Sequence, residues 1–154
     1  MQILQILVMG YFALSISIED LRIQKIRNRK LLHFLTSLIL FSVLLPNAGM
    51  DLIAGVSFLA LLTVLYLASN ALHKSGGIGF GDVKLTTVLA LAFFDSGLRS
   101  FEIFFVSLWL AVLAHICLYF LMYRKVPHRI AMAPDIFLAS GLYLYAPIGL
   151  LLPQ

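Results

Sequence analysis

Six apolar stretches constrain this chain more tightly than any other feature. They run at about Ile3–Ile18, Leu31–Leu45, Leu52–Ser69, Val83–Phe94, Phe101–Met122 and Ile136–Leu152. Short polar connections separate them, the tightest being the turn Pro46-Asn47-Ala48-Gly49 between the second and third. Crossing a bilayer takes roughly 20 predominantly apolar residues per helix, so a chain of this length has room for about six spans and little else. Composition closes off the soluble alternative. Hydrophobic residues make up 62% of the 154 residues and charged residues only 12%, too few charges to cover so much apolar surface in water. The expectation is an all-α integral membrane protein, a bundle of about six transmembrane helices forming one membrane-embedded domain over residues 1–154.

The first apolar run is not patterned as a cleaved signal, because no basic residue precedes it and no small-residue cleavage site follows it. A retained first span is expected. The single cysteine, Cys117, lies inside an apolar stretch, so neither a disulfide framework nor a four-thiolate zinc site can be built within one chain. No metal or other cofactor is expected.

The basic residues orient the bundle. Arg22, Lys25, Arg27, Arg29 and Lys30 fall between the first and second spans, Lys74 and Lys84 flank the connection between the third and fourth, and Arg124, Lys125 and Arg129 lie between the fifth and sixth. Only Arg99 belongs to a connection on the opposite side. Ten of the eleven Lys and Arg residues therefore share one face, which the positive-inside rule assigns to the cytoplasm. Both termini are then expected outside the cytoplasm, in a multi-pass inner (plasma) membrane protein. These residues read first as topological anchors attracted to anionic headgroups in the lipid bilayer; the first cluster orienting a substrate is the lesser reading. Basic residues spread between hydrophobic spans do not make a nucleic-acid surface.

The carboxylates carry the chemistry. Asp51, Asp95 and Glu102 fall at outer-side loops or span ends, where water solvates them. The cytoplasmic-side group is different: Glu19-Asp20 end the first span, Asp82 opens the fourth and Asp135 precedes the sixth. Asp82 follows Gly76-Gly77-Ile78-Gly79-Phe80-Gly81, and the apolar run after it is short. A run from Val83 to Phe94 covers roughly 18 Å of a hydrocarbon core about 30 Å thick, which sets Asp82 about 10 Å inside the cytoplasmic boundary. A carboxylate at that depth is costly unless it faces protein or a water-filled cavity, and irregular glycine-rich backbone is tolerated at such depth only in the same surroundings. Asp82 at the helix start would repel an anion and the Walker Gly-Lys-Ser/Thr ending is absent, so a phosphate loop is a weak reading. The plain alternative is that the glycines only let helices pack closely and that Asp82 caps a helix. Asp20 reaches the same side on another span, and two carboxylates brought within hydrogen-bond distance share a proton, a pairing that activates water and polarises a carbonyl without a metal.

Two segments with these aspartates resemble a known family. Asp20-Leu21-Arg22-Ile23-Gln24-Lys25-Ile26-Arg27-Asn28 is similar to the first motif of the type IV prepilin peptidases, Asp-x-Arg-x-x-x-Ile-Pro-Asn. Gly79-Phe80-Gly81-Asp82-Val83-Lys84-Leu85 matches their Gly-x-Gly-Asp-x-Lys motif, and Ala133-Pro134-Asp135-Ile136-Phe137-Leu138-Ala139-Ser140-Gly141 is a looser likeness of their Ala/Gly-Pro-Phe-Leu-Ala-x-Gly segment. The resemblance implies an intramembrane aspartic endopeptidase with Asp20 and Asp82 as catalytic pair and Arg22, Asn28, Gly79, Gly81, Lys84 and Pro134 in support. It implies as substrate a prepilin or pseudopilin, whose short basic leader is cut after a glycine at the cytoplasmic face, and association with pilus or secretion machinery. The paired-cysteine region of the bifunctional enzymes is not in this sequence, so peptidase action without N-methylation is expected, as in the short subtype of tight-adherence (Flp) pili. Arg27 stands where the family has proline, and Asp135 interrupts the third motif; the turn after the first span and the packing before the sixth are where this chain is expected to differ.

The remaining polar residues read mainly as structural. Successive helical positions differ by about 100°, so only one of Glu19 and Asp20 faces a common pocket, and the motif favours Asp20. Lys84 lies about 200° around the helix from Asp82 and reads as a snorkelling side chain rather than a partner of the pair. Arg22 and Asn28 either cap the end of the first span or position a leader. His115, alone within the fifth span, reads as a hydrogen-bonded packing histidine rather than a metal ligand; His33, His73 and His128 are interfacial. The rival function is a non-enzymatic transporter or assembly subunit with functional intramembrane carboxylates.

Overall fold

The structure, a computed structural model, describes residues 2–44, 49–72, 79–125 and 130–145. Those residues form six α-helices and no strand: α1 (Gln2–Ile23), α2 (Asn28–Leu44), α3 (Leu52–Leu72), α4 (Phe80–Phe93), α5 (Leu98–Tyr123) and α6 (Met132–Tyr145). The Pro46–Gly49 turn (apart from Gly49), the first half of the glycine run with His73 and Lys74, His128 with Arg129, and the end of the sixth apolar run lie outside the described residues.

Each helix overlaps an expected span, but the helices are longer than the apolar runs at their polar ends. α1 continues five residues past Ile18, α2 begins at Asn28 rather than Leu31, and α4 begins at Phe80 rather than Val83. The reason is physical: apolar sequence marks what is buried in oil, whereas backbone hydrogen bonding continues into polar residues until a cap or a turn stops it. The consequence is that Asp20 lies inside α1, and Asp82 and Asp135 lie within the first turns of α4 and α6 rather than ahead of them. α1 stops at Gln24, which adopts a left-handed conformation (φ 50°) while its N–H still bonds to the Asp20 carbonyl at 2.8 Å. α3 is started by Asp51, whose Oδ1 accepts the Ala54 N–H at 3.0 Å. Pro134 is tolerated in the first turn of α6 because no intrahelical donor is needed there.

α4 and α6 occupy the middle of the bundle. α4 packs on α2, α3 and α6, and α6 on α1, α4 and α5, with α3–α4 and α5–α6 as the closest pairs. Buried residues fall at Val83, Leu85, Thr86, Val88, Leu89 and Ala90 of α4, so the helix is enclosed around its circumference. An aromatic cluster of Phe58, Phe94, Phe101 and Phe104 ties α3, α4 and α5 together, with Phe58 stacked on Phe101 at 4.2 Å. Small residues allow the close α3–α4 approach: a Cβ on Gly55 would lie 2.3 Å from Cγ and Cδ2 of Leu91.

Polar and apolar groups are arranged inside out. Asp20, Thr86, Ser100, Ser107, Asp135 and Ser140 are buried, while Leu4, Tyr11, Val43, Ile53, Val64, Trp109 and Leu121 are among many large apolar side chains on the exterior. The three buried serines are satisfied within the bundle: Ser107 and Ser140 donate to carbonyls one turn back, and Ser100 pairs with Tyr143 at 2.8 Å. By length and composition, α3 and α5 are each apolar enough to cross a membrane.

The Gly55 contact yields a direct test. Gly55→Ala is expected to destabilise the bundle by about 1–3 kcal/mol, because Leu91 must leave its place. Adding Leu91→Ala should recover part of that loss in thermal unfolding of the detergent-solubilised protein.

Candidate active site

Asp20 and Asp82 converge from two helices at one end of the bundle. Asp20, in the last turn of α1, is only 4% exposed, and its Oδ2 accepts a hydrogen bond from the Ala133 backbone N–H at 2.9 Å. The first N–H groups of a helix lack intrahelical partners and point outward along its axis. Asp20 therefore supplies, from another helix, an acceptor that the first turn of α6 lacks, at the end where the helix dipole is positive. Pro134 beside it has no N–H to present.

Asp82 is held differently. Gly79 is the N-cap of α4, in an extended conformation, and Asp82, three residues on, folds back so that its carboxylate accepts the Gly79 N–H. This is half of a capping box. The cap role weighed for Asp82 is thus real, but it is exercised from inside the first turn, with Gly79 in the cap position itself. A Cβ on Gly79 would meet Asp82 Oδ2 at 2.8 Å, and one on Gly81 would meet the Ile26 Cβ at 3.2 Å. The two motif glycines therefore do different work: the first leaves room for the carboxylate, and the second lets α4 approach the chain between α1 and α2. The charges of Asp20 and Asp82 act on each other. Two carboxylates so placed on separate helices can divide one proton between them.

The other motif residues surround the pair without touching it. Lys84 Nζ donates to Asn28 Oδ1 at 3.1 Å and lies 4.8 Å over the Phe80 ring, so this lysine links α4 to the start of α2 and does not reach out as a lone snorkelling chain. Arg22 is exposed. It lines a cleft of about 400 Å3 with Ser15, Ile18, Glu19, Ile23, Arg27 and Lys30, which neither catalytic candidate lines. Glu19 faces that cleft, away from Asp20. Lys30 Nζ contacts its Oε2 at 2.5 Å and also bonds to Ser15 Oγ, and Arg27 Nε approaches Oε1 at 2.6 Å without hydrogen-bond alignment. Arg27, which replaces the family proline, thus secures the α1–α2 turn by charge where proline would stiffen it; with Arg27 mostly exposed, the pair is worth less than about 1 kcal/mol.

One pair was identifiable in sequence only as two separate polar residues. Asp135 is buried in the first turn of α6, and each of its carboxylate oxygens lies 3.0 Å from Nδ1 of His115 on α5. The histidine is the hydrogen-bonded packing residue expected, but its partner is a carboxylate that the charge of Asp20 also reaches. The signal for it was one polar residue inside the fifth apolar run and another just ahead of the sixth. Among the described residues, no group of His, Cys, Asp and Glu is assembled to hold a metal ion.

A family model described as the type IV leader peptidase family matches residues 7–118. The matched stretch contains Asp20, Arg22, Asn28, Gly79, Gly81, Asp82 and Lys84, and stops before Pro134. No curated protein and no solved structure matches the chain.

The Asp20–Ala133 bond separates two substitutions at one position. Asp20→Ala leaves a buried N–H without its acceptor and is expected to cost about 1–3 kcal/mol. Asp20→Asn keeps a carbonyl oxygen there and should unfold within about 1 kcal/mol of the unmodified protein, as read by thermal unfolding in detergent.

Proposed function

The chain belongs to the type IV leader peptidase family, and on that premise we propose that it is an intramembrane aspartic endopeptidase in which Asp20 and Asp82 activate water. The observation that carries this reading is the meeting of two carboxylates from separate helices at one end of the bundle, one of them buried and hydrogen-bonded across the fold. Hydrolysis by such a pair needs one proton between them. The ionised carboxylate takes a proton from water as its oxygen attacks the scissile carbonyl, and the protonated one donates a hydrogen bond to the carbonyl oxygen. As the tetrahedral intermediate collapses, a proton passes to the leaving amine. Arg22, Asn28, Gly79, Gly81, Lys84 and Pro134 act in support: Gly79 by leaving space for Asp82, Lys84 and Asn28 by joining α4 to α2, and Pro134 by shaping the turn that meets Asp20.

The substrate is the short basic leader of a prepilin or pseudopilin, cut after a glycine where the leader meets the hydrophobic segment. Support for a membrane setting comes from the apolar exterior of a bundle whose polar groups are inside. The paired aspartates share an end with Arg22, Lys25, Arg27, Arg29 and Lys30, the end that the positive-inside rule gives to the cytoplasm. Residues 1–154 act as one domain in the inner membrane, with both termini outside the cytoplasm. The alternative, a carboxylate-dependent transporter or assembly subunit, predicts no proteolysis.

Co-expression with candidate prepilins decides between the two. Leader removal, followed by gel mobility and mass, should be abolished by Asp20→Asn and by Asp82→Asn with each protein still in the membrane, and Glu19→Gln should be largely tolerated. Normal processing by either aspartate variant would sink the proposal. Gly79→Ala should lower the cleavage rate by roughly 100-fold, because the added methyl displaces the Asp82 carboxylate.

A further inference from the structure

His115 and Asp135 play no part in a two-aspartate mechanism, yet they are joined to each other, and the charge of its first member reaches Asp135. Asp135 is 3% exposed, and equal 3.0 Å distances from both of its oxygens to His115 Nδ1 fit an imidazole N–H aimed between them. Ala133, which donates to Asp20, stands two residues before Asp135 on the same helical turn. The geometry therefore runs from α5 through His115 and Asp135 to the first turn of α6, and from there to Asp20 on α1.

The charges facing this pair come from every helix packed on α6. α1 contributes Asp20, whose charge reaches Asp135. α4 contributes Asp82, which interacts with Asp20, and Lys84, which is engaged with Asn28 and the Phe80 ring. α5 contributes His115; Arg99 and Glu102 lie roughly 20 Å or more along its axis in one direction, and Arg124 and Lys125 roughly 13–15 Å in the other. Three carboxylates are thus linked in series, Asp82 to Asp20 and Asp20 to Asp135, with one imidazole on the last of them. Three negative charges are not held together in a protein interior without protons or a cation to offset them.

We propose that His115 and Asp135 form a positioning pair for Asp20: the protonated imidazole neutralises Asp135, which confines the remaining shared proton to Asp20 and Asp82, and the same contact holds the first turn of α6 so that Ala133 N–H stays on Asp20. This deepens the peptidase reading and rests on it. Neither residue touches the substrate; both act through Asp20.

Two conservative substitutions should move the pH–rate profile of leader cleavage in opposite directions. His115→Gln leaves an uncompensated anion beside Asp20 and moves the optimum up by roughly half a unit to one unit. Asp135→Asn leaves a cation without its carboxylate and moves the optimum down by a similar amount. The double variant should return close to the unmodified profile. Equal optima in all four proteins, or single-variant shifts in the same direction, would mean that the pair only packs the helices, and the proposal would fall. A second measurement does not depend on cleavage. In protein carrying 15N-labelled histidine, the His115 Nδ1–H signal, identified by its loss in His115→Gln, should change its chemical shift after Asp20→Asn at one fixed pH. An unmoved signal overturns the coupling even if leaders are cleaved. Absence of cleavage by the unmodified protein overturns the peptidase reading instead, and the His115 signal still judges the pair.

Discussion

The bond between Asp20 Oδ2 and the Ala133 N–H holds the functional end of this bundle together. It joins the last turn of the first helix to the first turn of the last, and α4 is enclosed beside them. A carboxylate in a hydrophobic interior is costly unless it has donors, and the start of a helix is a place where donors are left over by the geometry of the helix itself. The fold answers both needs with one contact. Asp82 is stabilised by the same principle, with the start of its own helix as donor, so each aspartate of the candidate pair rests on a helix N-terminus.

Around that end the structure separates anchoring from chemistry. Lys30 is bound to Glu19 and Ser15, Arg27 is turned to Glu19, and Lys84 is turned to Asn28. These contacts lash α1, α2 and α4 together, and none of them is made to Asp20 or Asp82. The neighbouring carboxylates Glu19 and Asp20 thus diverge completely in use, one fastening basic side chains at the surface and the other buried against α6. Their separation follows from the 100° step of the helix, which sends adjacent side chains to different neighbours.

Much of this was legible before any coordinates. The six helices follow from the apolar runs, and alternation of those runs puts Asp20 and Asp82 at the same side, whereas their pairing was expected only from the resemblance. Helix ends were not, because hydropathy registers burial and is silent about capping: nothing apolar marks Gly79 as the cap of α4 or Gln24 as the stop of α1. The His115–Asp135 contact was hidden for another reason. His115 is polar in an apolar run and Asp135 stands just ahead of one, but whether two such residues meet depends on helix rotation, which a single sequence constrains only through its buried faces. Asp135 looked like an interruption of a motif; in the structure it is a partner.

The separation of 113 positions between Asp20 and Ala133 has a bearing on biogenesis. Asp20 leaves the ribosome well before Ala133, whose N–H completes that carboxylate's environment. Until α6 is made, the first helix carries an acidic side chain whose native partner does not yet exist, and α4 lacks one of the helices that enclose it. The candidate pair therefore gains its native surroundings only once α6 has been made, and a nascent chain arrested before α6 has both aspartates without the Asp20–Ala133 bond.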